Sequence, residues 1–247
     1  MPEFSARWHA FAREAAIAGH SLSAGLEALG KANYGTKGLY SHAFFGLSVG
    51  LERLLKLIVM IDYAVLNSAS YPDNADLKRL GHDIERLYAE ARRVHSRLPD
   101  PEDRYELPVG GLEDEIISFL SRFASTARYY NLDFLTAPNS QTGPLQDPVA
   151  EWSRTIGQQI LLKHYKEKRR TADQQRAAAT GSAMGPFTFV RFTAEDGTLL
   201  DSVEMAMQRT AENRVIQKFG TFYCASIARF AYMILYRPSA RSAYCGG

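Results

Sequence analysis

The chain has 247 residues, 46% hydrophobic and 23% charged, the composition of a folded globular protein with one large domain or a domain plus an extension. Lys and Arg number 29 against 27 Asp and Glu, a formal charge of +2, so any attraction for nucleic acid has to come from a local patch. The only two cysteines, Cys224 and Cys245, exclude a disulfide framework and a zinc-binding spacing and fit a reducing cytoplasm, the expected location.

The N-terminal stretch MPEFSARWHAFAREAAIAG lacks the charged-then-apolar order of a secretory signal. Residues 4–30 place Phe4, Trp8, Phe11, Ala15, Ala18, Leu22 and Leu26 on one face of a long helix. Gly35 and Gly38 break it. Residues 41–66 are apolar almost all round, the pattern of a central bundle helix, and Gly46 and Gly50 form a smooth strip for close approach of a neighbour.

A third helix is expected from about Asp76 to Leu98, with Ile84, Leu87, Tyr88, Ala91 and Val94 inward and Pro99 as its stop. Residues 112–136 repeat the pattern with Ile116, Leu120, Phe123, Ala127, Tyr130 and Phe134. The loop APNSQTGPLQDP then marks a boundary, giving domains 1–140 and 141–247, the second packed on the first. Asp147-Pro148 reads as an N-cap and first helical residue.

The helix that follows begins amphipathic with Trp152, Ile156 and Ile160 and turns polar in KHYKEKRRTADQQRAAA, ending over residues 181–186. FTFVRF, an Asp196-Gly197 turn and TLL suggest a small β-hairpin near 187–200. Asp201 or Ser202 can cap a last helix to about Tyr236, with a break expected near Gly220. The longest apolar stretch, residues 222–236, carries Arg229 in its middle and is too short to span a bilayer, so no membrane partner is expected. The fold class is mainly α.

Three stretches resemble the HEPN superfamily of small helical-bundle domains: FFGLSVGLERLLKLI with Glu52 and Lys56 one turn apart, LKRLGHDIERLYAEA, and the fourth helix ending ARYYNLDFL. The resemblance covers roughly residues 5–136. It implies a HEPN-like bundle with a C-terminal helical extension, a homodimer, and a role in prokaryotic defence or toxin–antitoxin function. Catalytic members carry an Arg, a spacer of four to six residues and a His, brought together across a dimer for metal-independent attack of an RNA 2′-hydroxyl on the adjacent phosphate.

Of the six histidines, only His20 has an Arg at such a spacing: Arg13, with six residues between, on the first helix. The fourth helix offers Arg128 and Asn131 on one face, suited to hold and orient a phosphate, and His82 is the candidate base beside them. The alternative for His82 is a helix-start residue bonded to a carboxylate such as Glu52, and Glu52 in turn pairs with Lys56. Asp62 is expected near an exposed helix end.

Lys163, Lys166, Arg169 and Arg170 are the nucleic-acid-binding candidates, with Lys163, Lys166 and Arg170 as a stripe on one helix. Aromatic interleaving there is limited to Tyr165, and core packing is the simpler account of the Phe-rich hairpin and the Tyr/Phe-rich last helix. No phosphate-binding glycine loop, nucleophile elbow or metal motif occurs, so neither cofactor nor metal is expected. The leading expectation is a non-catalytic protein that binds RNA or a protein partner. The alternatives are a metal-independent endoribonuclease with a divergent site and a structural dimerisation module.

Overall fold

A computed structural model describes residues 5–68, 70–79, 81–97, 111–127, 130, 135–136 and 147–245. The described residues are mainly helical. In chain order they form α1 (Ala6–Leu29), α2 (Gly38–Leu66), α3 (Asn74–Arg79), α4 (Ile84–Ser96) and α5 (Leu112–Ser125), then α6 (Pro148–Trp152), a π-helical turn (Ser153–Gly157), α7 (Gln158–His164) and α8 (Glu167–Met184). A two-stranded antiparallel hairpin, β1 (Phe192–Thr193) and β2 (Leu199–Leu200), precedes the long α9 (Val203–Cys245).

The chain forms two compact units: residues 1–26, 44–126 and 224–247 make the first, and residues 27–43 and 127–223 the second. Long helices cross the boundary, so segments distant in sequence build each unit.

In the first unit α2 is the central apolar helix, with Phe44, Leu47, Leu51, Leu55 and Ile58 buried. Phe44 meets Phe119 edge-on at 4.7 Å and Phe123 at 5.5 Å, fixing α5 against it. The glycine strip works as the sequence suggests. A Cβ at Gly50 would lie 2.7 Å from Leu22 Cγ and 2.9 Å from the Ala18 carbonyl, and one at Gly46 would lie 2.8 Å from the Ser21 carbonyl. Cys224 is a buried free thiol in this unit, and burial pushes its pKa up to about 12.

The expected helix from Asp76 to Leu98 is divided. Gly81 adopts φ +60, the left-handed conformation that ends a helix, and α4 starts afresh with Asp83 as N-cap. The Asp83 carboxylate accepts from Arg86 N at 3.0 Å and from Ser121 Oγ at 3.3 Å. Ser121 Oγ in turn accepts from Ile84 N at 3.0 Å, tying the start of α4 to α5. Asp83→Ala is expected to cost about 1 kcal/mol, as an N-cap loss does, and His82→Ala about 0.5 kcal/mol or less because that side chain is 71% exposed. Urea unfolding of the two variants checks the order.

In the second unit Asp147 caps α6 through Val149 N at 2.9 Å with Pro148 in its first turn, as expected. Trp152, Ile156 and Ile160 are fully buried. The expected break at Gly220 is absent, because α9 runs through it. A Cβ there would lie 3.3 Å from the Trp152 ring, so the glycine provides room for the indole. The hairpin pairs Phe192 with Leu200 and Thr193 with Leu199, and Gly197 turns it with φ +91. Ser202 caps α9, accepting from Met205 N at 3.2 Å.

Candidate functional site

His82 lies in the turn before α4, and its Nδ1 is 3.0 Å and 3.1 Å from the two Glu52 oxygens. Lys56 Nζ donates to Glu52 Oε1 at 2.8 Å. Burial pushes the Glu52 carboxyl up, but the hydrogen bonds from Lys56 and His82 outweigh it and hold the pKa below the ordinary 4.5. The stability this carboxylate contributes is present above pH 4.5 and is lost as pH falls through the lower folded value. This is the helix-start arrangement that the sequence offers as the alternative to a base. Asp62 lies in the last turns of α2, near its exposed end as expected, and accepts from Arg97 Nη2 at 2.6 Å. Arg128 and Asn131 lie outside the described residues. Arg13 and His20 are both exposed, two turns apart along α1.

In the second unit, the expected stripe of Lys163, Lys166 and Arg170 on one helix is not formed. The chain leaves helical geometry at Tyr165 (φ −87, ψ 83), so Lys163 lies in the last turn of α7 while Lys166 is the N-cap residue of α8. Arg169 pairs with Asp173 at 3.6 Å and Arg170 lies 5.3 Å over the Tyr165 ring. Both are therefore partly engaged.

The end of α7 instead meets α9, which supplies the rings that the local sequence lacks. His164 stacks flat on Phe219, with centroids 3.7 Å apart and planes 10° apart, and its Nε2 is 2.8 Å from the Tyr223 hydroxyl. Lys163 Nζ sits 5.2 Å over the Tyr223 ring and Lys218 Nζ 5.3 Å over Phe219. Phe222 packs edge-on against Tyr223 at 5.5 Å and remains 59% exposed. Lys163, Lys166 and Lys218 are exposed around this cluster. Burial, reinforced by Lys163 and Lys166, holds the His164 pKa below the ordinary 6.5, so the ring is neutral at neutral pH.

The sequence reading placed the aromatics of the last helix in the core, which holds for Tyr223 at 4% exposed and not for Phe222, and it did not single out Lys218 or the half-buried Phe219. The signal available was weak: aromatic residues at 219 and 223, one turn apart, with a lysine beside them. The hairpin aromatics also depart from a core assignment, since Phe187 and Phe189 are 89% and 88% exposed.

A second polar cluster lies behind the hairpin turn. Asn213 Nδ2 donates to the buried Glu195 Oε1 at 2.7 Å, Arg209 Nη2 donates to Asp196 Oδ2 at 2.6 Å, and Arg154 donates to the Asp196 carbonyl at 2.8 Å. Burial raises the Glu212 carboxyl, only partly offset by Arg209. The first two bonds come from α9 and the third from the π-helical turn, and together they hold the hairpin turn in place.

Among the described residues no group of three or more His, Cys, Asp or Glu side chains is placed to hold a metal ion, and no helix is long and apolar enough to cross a membrane. Comparison with protein-family models, with curated proteins and with solved structures finds no match.

Proposed function

We propose that the chain is a HEPN-like, non-catalytic helical protein that binds single-stranded RNA through the lysine and aromatic face of its second unit. The observation that carries the reading is the convergence of the exposed Lys163, Lys166 and Lys218 around His164, Phe219 and the buried Tyr223, with the exposed Phe222 ring packed against Tyr223. Exposed lysines neutralise phosphates and release counterions, and an exposed ring offers a stacking surface to any base. A chain with a formal charge of only +2 has no general attraction for polyanions, so a local grouping of this kind is what binding requires.

In the first unit His82 bonds through Nδ1 to Glu52, which also accepts from Lys56, the arrangement of a helix-start residue. A part in prokaryotic defence rests on the family resemblance.

The test is fluorescence anisotropy of a labelled single-stranded RNA. The combined substitution Lys163→Gln, Lys166→Gln and Lys218→Gln is expected to weaken binding about tenfold or more. Phe222→Ala should weaken it by about tenfold through lost stacking. Arg93→Gln, on α4 and paired with Glu90 at 2.6 Å, is the control and should leave affinity unchanged. The RNA should keep its length in EDTA. Metal-independent cleavage that His164→Ala abolishes would replace binding with a ribonuclease whose base is His164, the histidine this face holds neutral.

A further inference from the structure

A cavity of about 340 Å³ lies in the second unit between the 184–192 segment, α8 and the first turns of α9. That volume falls at the lower end of the roughly 300–1,000 Å³ typical of small-molecule sites. Its walls are mainly apolar: Met184, Val190, Phe192, Val203 and Met207. Thr188, Val190 and Phe192 line the cavity and alternate with Phe187, Phe189 and Arg191, which do not, as an extended chain directs its side chains; Phe192 is itself 49% exposed, so the cavity opens to solvent.

The polar groups around the cavity narrow the ligand further. Thr210 donates its hydroxyl proton to the Ala206 carbonyl at 2.8 Å. Tyr34 lies 3.1 Å from Thr210 Oγ1 and donates to it, since the Thr210 proton is already committed. Neither hydroxyl is left as a donor for a ligand. Asp173 is bonded by Tyr165 at 3.0 Å and by Arg176 at 3.1 Å and lies 3.6 Å from Arg169, so its negative charge is fully matched. Arg214 also lines the cavity, is exposed, and among the described residues has no acidic partner. The site therefore combines mainly apolar walls with a net positive charge, and Arg214 is the lining cation with no acidic partner among the described residues.

We infer that this cavity binds a small amphipathic carboxylate, with its apolar part between Phe192 and Met207 and its charge at Arg214. A sugar would bury many hydroxyls against mainly apolar walls that offer few partners, whereas a carboxylate carries its polarity at one end and makes a charge-assisted bond to the guanidinium.

Isothermal titration with octanoate, and with octanol as its uncharged counterpart, tests this in the absence of any nucleic acid. Saturable octanoate binding is expected, about tenfold tighter than octanol, and Arg214→Gln should lower octanoate affinity by about tenfold without changing octanol. Met207→Trp, checked for fold by circular dichroism, should abolish binding of both by filling the cavity. Absence of saturable octanoate binding to the wild type, equal affinity for the two ligands, or no effect of Arg214→Gln would overturn the inference.

Discussion

Gly50→Leu is expected to destabilise the protein by about 3 kcal/mol or more, a loss at the upper end for overpacked cores. The added Cβ alone would lie 2.9 Å from the Ala18 carbonyl and from Leu22 N, both backbone atoms that side-chain rotation cannot move. Relief requires α1 and α2 to separate, and separation uncovers Leu22, Leu47 and Leu51, which are no more than 8% exposed. Gly46→Leu should behave alike, since its Cβ would lie 3.0 Å from the Gly25 backbone. Gly19→Ala is the control: a Cβ there has nothing within 4 Å, and on the exposed face of α1 alanine is a better helix former by about 1 kcal/mol. Thermal and urea unfolding of the three variants measure the contrast. An unaltered midpoint for Gly50→Leu would mean that the two helices are not in contact at this glycine.

Arg209→Met is expected to cost about 3 kcal/mol, the low end of what breaking a buried ion pair costs by leaving its partner uncompensated. The Arg209 and Asp196 side chains are 12% and 17% exposed, so water partly compensates the aspartate when the guanidinium is removed. Burial pushes the Asp196 carboxyl up, but hydrogen bonds from Thr198 and Arg209 outweigh it and hold the pKa below the ordinary 3.8. The pair's contribution is therefore present above pH 3.8 and lost as pH falls through the lower folded value. The difference in stability between wild type and Arg209→Met should accordingly be large at neutral pH and shrink in acid. A difference that stays constant into acid would show that the methionine acts through packing and not through the lost charge pair.

What the sequence reveals and what it hides follow from the range of the interactions involved. The apolar α2, the Asp147-Pro148 start and the Asp196-Gly197 turn depend on residues a few positions apart, and periodicity and turn chemistry report them directly. Gly220 shows the opposite case. Within its own helix it reads as a breaker, and only the Trp152 ring packed against it explains why a glycine is tolerated there. The division at Gly81 was available in the residues, because a glycine followed by an aspartate two positions on is a helix end and a new cap, but the apolar spacing around it continues without interruption. The break at Tyr165 has neither Gly nor Pro to announce it.

The candidate nucleic-acid face was half legible. Its lysines at 163 and 166 stand in a charged run, while its rings come from α9, with His164 and Tyr223 separated by 59 positions. No local pattern joins them. The same limit hid the cavity, whose walls combine α8, the segment before β1 and α9.

The most direct measurement of the central claim is the salt dependence of RNA binding, wild type beside the variant with Lys163, Lys166 and Lys218 replaced by Gln. Each phosphate contact on a single strand contributes about 0.7 to the slope of log affinity against log salt concentration. Three lysines engaged with phosphates predict that the slope becomes shallower by about two in the variant. An unchanged slope, or a wild type that does not bind single-stranded RNA at low salt, would contradict the account.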